Sequence, residues 1–297
     1  MKSTSKKHLI VLSVDALNKH DFDYINQLPN FKDFIENGAY VREVDSVYPS
    51  LTYTAHTSII TGTYPDKHGI FTNEIATPSV ATKQPWFWFE KDIQVPTLFD
   101  YARKANLVTA NVLWPVMNGG PINYNMPEKW SVSGKSYTSE VLRYATKNIY
   151  PLILKHFTKA KGSAQPYLDN YIEAMTIDMI IKKKPNLLTV HLLELDQERH
   201  VTGLFGPEID QVLTRMDERI GHIIEATKVA GTYNDTTFII LGDHGGADFT
   251  HIVYLNTYFY ENGFIEADSY SKITAWQVYA NSCGGSVQIH INQSVTP

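Results

Sequence analysis

The sequence predicts a doubly wound α/β fold, a mostly parallel β-sheet with helices on both faces. Three observations predict it. Short apolar runs rich in Val, Ile and Leu recur along the chain, helical patterns alternate with them, and three of the runs end in carboxylates. Near-continuous apolar runs suit strands covered on both faces. Strand–helix alternation is the mark of βαβ units. Carboxylates at strand ends are where open α/β sheets gather functional groups.

The strand-like runs are 8–14, 40–47, 107–113, 186–193, 237–241 and 286–291. Between them, 30–37 reads as a short helix stopped by Gly38, and 97–105 as another that follows Pro96. In 167–183, Leu168, Tyr171, Ile172, Met175, Met179 and Ile180 fall at helical spacing, and 209–229 repeats the pattern with Val212, Met216, Ile220, Ile223 and Ile224. The stretch 118–139, with Gly119, Gly120, Pro121, Pro127 and Gly134, reads as a loop or small insertion within one domain over 1–297. The run 286–291 stands only six residues before Pro297, which suggests a missing C-terminal part of the core.

Composition narrows the function. With 43% apolar and 19% charged residues in 297, the chain is long and apolar enough to bury a core, which excludes disorder as its main state. The net charge of −5, with no long run of Lys or Arg, argues against a groove for polymeric nucleic acid. An acidic protein acting on phosphates would need bound metal for local positive charge. The single cysteine, Cys283, rules out an intramolecular disulfide, and the apolar run after the basic N-terminus stops at Asp15, too short for a signal-peptide core. No stretch approaches the length of a membrane span. The expectation is a cytoplasmic protein acting on a small molecule, with no membrane partner.

The chemistry sits behind the strands. Asp15 follows the first run, Glu194, Asp196 and His200 follow 186–193, and Gly242, Asp243 and His244 follow 237–241. One Asp at a strand end is often a cap or turn residue, but three such ends, two with a His close behind, favour metal. Carboxylate with imidazole suits zinc and similar divalent ions. Asp196 and His200 share a face if their turn is helical. Asp243 and His244 are adjacent and converge only on irregular backbone, which Gly242, Gly245 and Gly246 permit. The segment 49–70 runs from the end of a predicted strand into a predicted helix over 53–60. Thr52 stands at that helix start, either as an N-cap or as a hydroxyl among anion-binding backbone N–H groups. Beside two candidate metal sites it becomes a candidate nucleophile.

The segment resembles the signature of the nucleotide pyrophosphatase/phosphodiesterase branch of the alkaline phosphatase superfamily: Pro-x-x-Thr-x-x-x-His, then Thr-Gly-x-x-Pro-x-x-His-Gly-Ile. Pro49, Thr52, His56, Thr61, Gly62, Pro65, His68, Gly69 and Ile70 match it. Val14-Asp15, Asp196-x-x-x-His200 and Gly242-Asp243-His244-Gly245 flank it in the family's order. The resemblance implies an alkaline phosphatase-like fold and two divalent metal ions, zinc first, with manganese or iron as alternatives. One metal would be held by Asp15, Thr52, Asp243 and His244, the other by Asp196, His200 and a further His. Asn73 would hydrogen-bond a phosphoryl oxygen, and Tyr53 would offer an aromatic face to a nucleobase. His56 and His68 would be structural.

The family's downstream Gly-rich His motif is missing here, in keeping with the expected truncation. The implied activity is hydrolysis of phosphodiester or pyrophosphate bonds in nucleotide-like molecules through a phospho-threonine. The alternatives are a phosphomonoesterase or phosphonate hydrolase, or a non-catalytic metal-binding relative.

Overall fold

The structure is a computed structural model and describes residues 7–78, 85–130 and 137–294. Five strands, β1 (His8–Val14), β2 (Thr109–Val112), β3 (Tyr124–Met126), β4 (Leu187–Leu192) and β5 (Thr236–Leu241), form one wholly parallel sheet. Their order is β3-β2-β4-β1-β5. The chain leaves β1, skips to β2, steps out to β3, returns through central β4 and crosses to β5 on the far side of β1. Strand order therefore reverses at β1, and the segments leaving β1, β4 and β5 open around one crevice.

The two-residue period of β1 sorts its side chains into two cores. Ile10, Leu12 and Val14 pack with Met175 and Met179 of helix Tyr167–Lys183 and with Val212 and Met216 of helix Pro207–Ala230. Val11 faces the other way, toward Tyr53 and Ile60 of helix Thr52–Thr61, Phe99 of helix Leu98–Lys104, Trp88 and Trp114. Burying each such aliphatic or aromatic side chain contributes about 1.5–3 kcal/mol. β5 is one of the sheet's two edge strands, and its first four residues alternate between half-buried and exposed positions, as one uncovered face requires. Among the described residues no helix is long and apolar enough to cross a membrane.

Three expectations need correction. The run 40–47 is not a strand but irregular backbone, with Val41 and Val44 each 75% exposed. Arg42, Glu43 and Asp45 interrupt its apolar residues, so no face is continuous enough to bury. Its charges pair with surface groups instead, Arg42 with Asp23 and Glu43 with Lys19. The run 286–291 does contain a strand, β9 (Val287–Ile291), but it lies outside the main sheet, antiparallel to β8 (Val278–Ser282). Its true pattern is alternation, with Ile289 and Ile291 exposed, which fits an uncovered hairpin turning through Gly284 at φ +76°. A second small hairpin pairs β6 (Ile265–Ala267) with β7 (Ile273–Trp276). The stretch 118–139 contains β3, which at three residues is too short to show a period; residues 131–136 lie outside the described residues.

Helix Pro29–Asn37 is fixed by a device with no local sequence signal. Its N-cap is Leu28, which has no side-chain acceptor for the first backbone N–H groups. Asp217, from the middle of helix Pro207–Ala230, supplies one: its Oδ1 accepts from the backbone N–H groups of Asn30 (3.0 Å) and Phe31 (2.8 Å). Its Oδ2 accepts from the Asn30 amide at 2.8 Å. Asp217→Ala should leave the backbone N–H groups of half-buried Asn30 and buried Phe31 unmatched and destabilise the fold by about 1–3 kcal/mol. A lower midpoint in urea denaturation checks it, and an unchanged midpoint would contradict it.

Candidate active site

The crevice at the reversal of strand order is built from the segment after β1 outward. The N–H of Asp15 donates to Leu192 O at 2.9 Å, tying the exit of β1 to the end of β4. Ala16 follows at φ +63°, a strained conformation for a residue with a Cβ. Its N–H donates to Asp243 Oδ1 at 3.0 Å, and its carbonyl accepts from the Arg199 guanidinium and from Asn18 Nδ2. The left-handed turn thus aims one peptide at the β5 exit and the next at helix Glu194–Thr202. Gly242 completes the approach, since a Cβ there would meet Leu17 O at 1.8 Å. Only glycine lets the β5 exit pass so close to the β1 exit.

These loops bring Asp15, Asp243 and His244 together, with one ligand atom from each within 4.8 Å of the others. Asp15 and Asp243 are buried. His244 Nδ1 donates to Gly245 O at 3.0 Å, so in the neutral imidazole Nε2 is the bare nitrogen, turned to the carboxylates. It lies 3.3 Å from Asp15 Oδ1 and 3.5 Å from Asp243 Oδ2. Neither of those buried oxygens has a hydrogen-bond partner. Buried carboxylate oxygens without partners, converging with an imidazole nitrogen, fit a divalent cation in both ligand type and geometry.

Thr52 opens its helix but does not cap it. The N-cap is Leu51, and Thr52 Oγ1 lies 3.1 Å from His244 Nε2, at the edge of the cluster.

The titration of the cluster points the same way. Burial pushes the Asp243 carboxyl up, and the Asp15 charge adds to it. Burial pulls the His244 imidazole down, but the Asp243 and Asp15 carboxylates outweigh it, and its net shift is upward. Both groups hold protons more tightly than usual, Asp243 chiefly because burial penalises its charge and His244 because two carboxylates face it. Burial and the neighbouring His191 drop the His56 imidazole to about 3.

The second predicted pair is less gathered. Asp196 and His200 share a face of helix Glu194–Thr202, 3.4 Å apart, with side chains 25% and 78% exposed. The Asp196 charge acts on His244, so the pair borders the first cluster, but among the described residues it forms no three-ligand group. Asn73 reaches the helix start, where its Oδ1 accepts from the Tyr53 N–H at 2.9 Å.

Tyr53 offers no face to a ligand. It is fully buried, edge-on to Trp86, with its hydroxyl donating to Glu128 Oε1 at 2.8 Å. At the second position of a helix whose inner face is core, its ring points inward. His56 and His68 are buried supports: His56 Nδ1 donates to Thr52 O at 2.7 Å, and His68 bridges Ser58 Oγ and Ile70 N.

Two residues that sequence reasoning passed over stand against the cluster. His191, in β4, is buried between Asp15 Oδ2 (3.1 Å) and Glu128 Oε2 (3.0 Å). Its signal was available, as a histidine inside an otherwise apolar run. Glu128 lay in the stretch read as a loop and had no local signal.

Comparison with known proteins gives the family. The model of the type I phosphodiesterase/nucleotide pyrophosphatase family matches residues 9–295. The chain belongs to that family. It therefore falls in the nucleotide pyrophosphatase/phosphodiesterase branch of the alkaline phosphatase superfamily. Similar relatives within the family include venom phosphodiesterase 2 of Crotalus adamanteus, 25% identical over 264 residues, covering 84% of this chain and 28% of that protein. Another is the bis(5'-adenosyl)-triphosphatase ENPP4 of Bos taurus, 25% identical over 256 residues, covering 82% of this chain and 48% of that protein. The chain thus spans less than half the length of either. Among solved structures, an inactive threonine-to-alanine variant of murine ectonucleotide pyrophosphatase/phosphodiesterase 5 in complex with AMP matches with TM-score 0.64 and 20% identity. That match covers 97% of this chain and 67% of the murine one, and it shows the shared fold.

The sign of the His244 shift gives a test. A raised imidazole stabilises the metal-free fold below its unfolded value of about 6.5, and that contribution fades as pH rises through the higher folded value. The same proton competes with a cation for Nε2. Apparent Zn2+ affinity should therefore rise with pH up to that folded value, approaching about tenfold per unit. Thermal melts with chelator and with Zn2+ at pH 6 and pH 8 check this: the metal-induced rise in Tm should be larger at pH 8, and equal rises would contradict it.

Proposed function

We propose that the chain is a metal-dependent hydrolase of phosphodiester or pyrophosphate bonds in nucleotide-like small molecules, working through Thr52. The observation that carries this reading is Thr52 Oγ1 standing 3.1 Å from His244 Nε2, beside two buried carboxylate oxygens without partners. Family membership and relatives named as phosphodiesterases and a bis(5'-adenosyl)-triphosphatase support it. Asp15, Asp243, His244 and Thr52 would hold one divalent cation. Asp196 and His200 would supply donors for a second, with zinc as first choice and manganese or iron as alternatives. Bound there, the cations supply positive charge that favours the Thr52 alkoxide and offsets charge on the phosphoryl oxygens.

The chain's own residues do the rest. The start of helix Thr52–Thr61 fixes Oγ1 in the crevice for in-line attack on phosphorus. The Oγ1–P bond forms as the bond to the leaving oxygen breaks, giving a phospho-threonine. Water then attacks phosphorus on the opposite face and frees Oγ1. Asn73, whose Oδ1 is tied to the Tyr53 N–H, would donate its amide to a phosphoryl oxygen. With Tyr53 buried, the nucleobase face assigned to it has to come from another residue.

The test is hydrolysis of bis-p-nitrophenyl phosphate and p-nitrophenyl phosphate, with chelator and with added Zn2+ or Mn2+. The expected outcome is metal-dependent turnover, faster on the diester, falling by three or more orders of magnitude in Thr52→Ala. Faster turnover of the monoester would move the assignment to a phosphatase, and full activity in Thr52→Ala would remove Thr52 from the chemistry.

A further inference from the structure

Glu128 sits at the junction of two paths into the crevice. Its Oε1 accepts from the Tyr53 hydroxyl at 2.8 Å and from Trp130 Nε1 at 3.0 Å. Its Oε2 accepts from His191 Nδ1 at 3.0 Å, and His191 Nε2 then donates to Asp15 Oδ2 at 3.1 Å. Tyr53, Glu128, His191 and Asp15 are all buried. The four residues come from a helix, the segment after β3, the penultimate position of β4 and the position just after β1. One end of the chain is the residue next to Thr52, and the other is a carboxylate of the cation cluster.

The division of labour at Asp15 is specific. Oδ2 is held by His191, whereas Oδ1 has no hydrogen-bond partner and faces His244 Nε2 at 3.3 Å. A carboxylate in the core can rotate and exchange its oxygens unless one is tied. An imidazole bridging a ligand carboxylate to an outer carboxylate ties it, and outer groups of this kind set ligand orientation. Fold stability alone does not account for the arrangement, because hydrophobic residues of similar volume stabilise a core at least as well as buried charge does.

We infer that Glu128 and His191 are positioning residues for the reaction: His191 fixes Asp15 with Oδ1 turned to the cation, and Glu128 couples that orientation to the start of the Thr52 helix through Tyr53. The inference rests on the function proposed above. It assigns a role to a tyrosine whose ring is buried and to a glutamate and a histidine buried behind Asp15.

The test uses the full chain, with Zn2+ and Mn2+ as probes. His191→Phe keeps a ring of similar size and removes both hydrogen bonds. Calorimetric titration of the metal-free protein should show cation affinity about 10–100-fold weaker than wild type. At saturating Mn2+, kcat for bis-p-nitrophenyl phosphate should fall by a similar factor while KM changes little. Glu128→Gln is close to isosteric and guards against a folding defect. It keeps an acceptor for Tyr53 but turns an NH2 toward His191, so its losses should be smaller and in the same direction. A purely structural role would lower Tm and leave cation affinity and kcat at wild-type values in folded protein, and that result would overturn the inference. A wild-type chain that binds neither cation would overturn the proposed function and this inference with it. Wild-type binding retained in both variants would overturn this inference alone.

Discussion

Two like charges forced together underlie the whole crevice. Asp15 and Asp243 leave adjacent parallel strands at the same level, and one oxygen of each lies within 4.8 Å of the other. In buried surroundings such a pair is costly unless a cation, a proton or a network of donors compensates it. Features around it compensate in part: the Ala16 N–H on Asp243, the His191 ring on Asp15 and, when protonated, the His244 ring beside both. The compensation stops short, leaving Asp15 Oδ1 and Asp243 Oδ2 without hydrogen bonds. A site that folds with negative charge in surplus is prepared for a positive ligand.

The same constraint explains the local backbone. Left-handed Ala16 and the Cβ-free approach of Gly242 to Leu17 hold the β1 and β5 exits close enough to share a ligand. Arg199 extends the arrangement to a third segment. Buried in helix Glu194–Thr202 between Asp196 and His200 in sequence, it donates to the Ala16 carbonyl and to Asp21, which lies 2.5 Å away. The helix carrying Asp196 and His200 is thereby anchored to the turn that follows Asp15.

The sequence made the sheet legible wherever a run was dominated by apolar residues. The runs that became β1, β2, β4 and β5 stood out because Val, Ile and Leu prevail in them with no Asp, Glu, Lys or Arg inside. Residues 40–47 misled because apolar residues mixed with charge mimic a strand locally, while pairing is decided by which edge is free. The carboxylates at strand ends were legible for a topological reason: a reversal of strand order gathers whatever follows the strands. Tyr53 was not, because motif position fixes a residue's place along a helix, while the direction of its ring depends on which face of that helix meets the sheet. Glu128 was not, because its partners His191 and Tyr53 are 63 and 75 residues away in sequence.

Two buried charge networks meet around β4, and comparing them separates packing from chemistry. Glu194, two residues beyond the strand, gives Oε1 to Arg215 and Oε2 to Arg219 at 2.6 Å, while Arg219 also reaches Asn170 and stands 3.9 Å from Asp169. Asp169 in turn accepts the N–H groups of Leu193 and Glu194. In that network both carboxylates meet donors, and it locks helices Tyr167–Lys183 and Pro207–Ala230 to the end of β4 with no ligand atom to spare. The network through His191 is equally buried but ends on an oxygen with no donor. Completeness is what a structural ion pair needs, since an unmatched buried charge destabilises the fold. A fold that completes one network and leaves Asp15 Oδ1 and Asp243 Oδ2 unmatched beside the other carries the unbalanced buried charge that marks a candidate functional site.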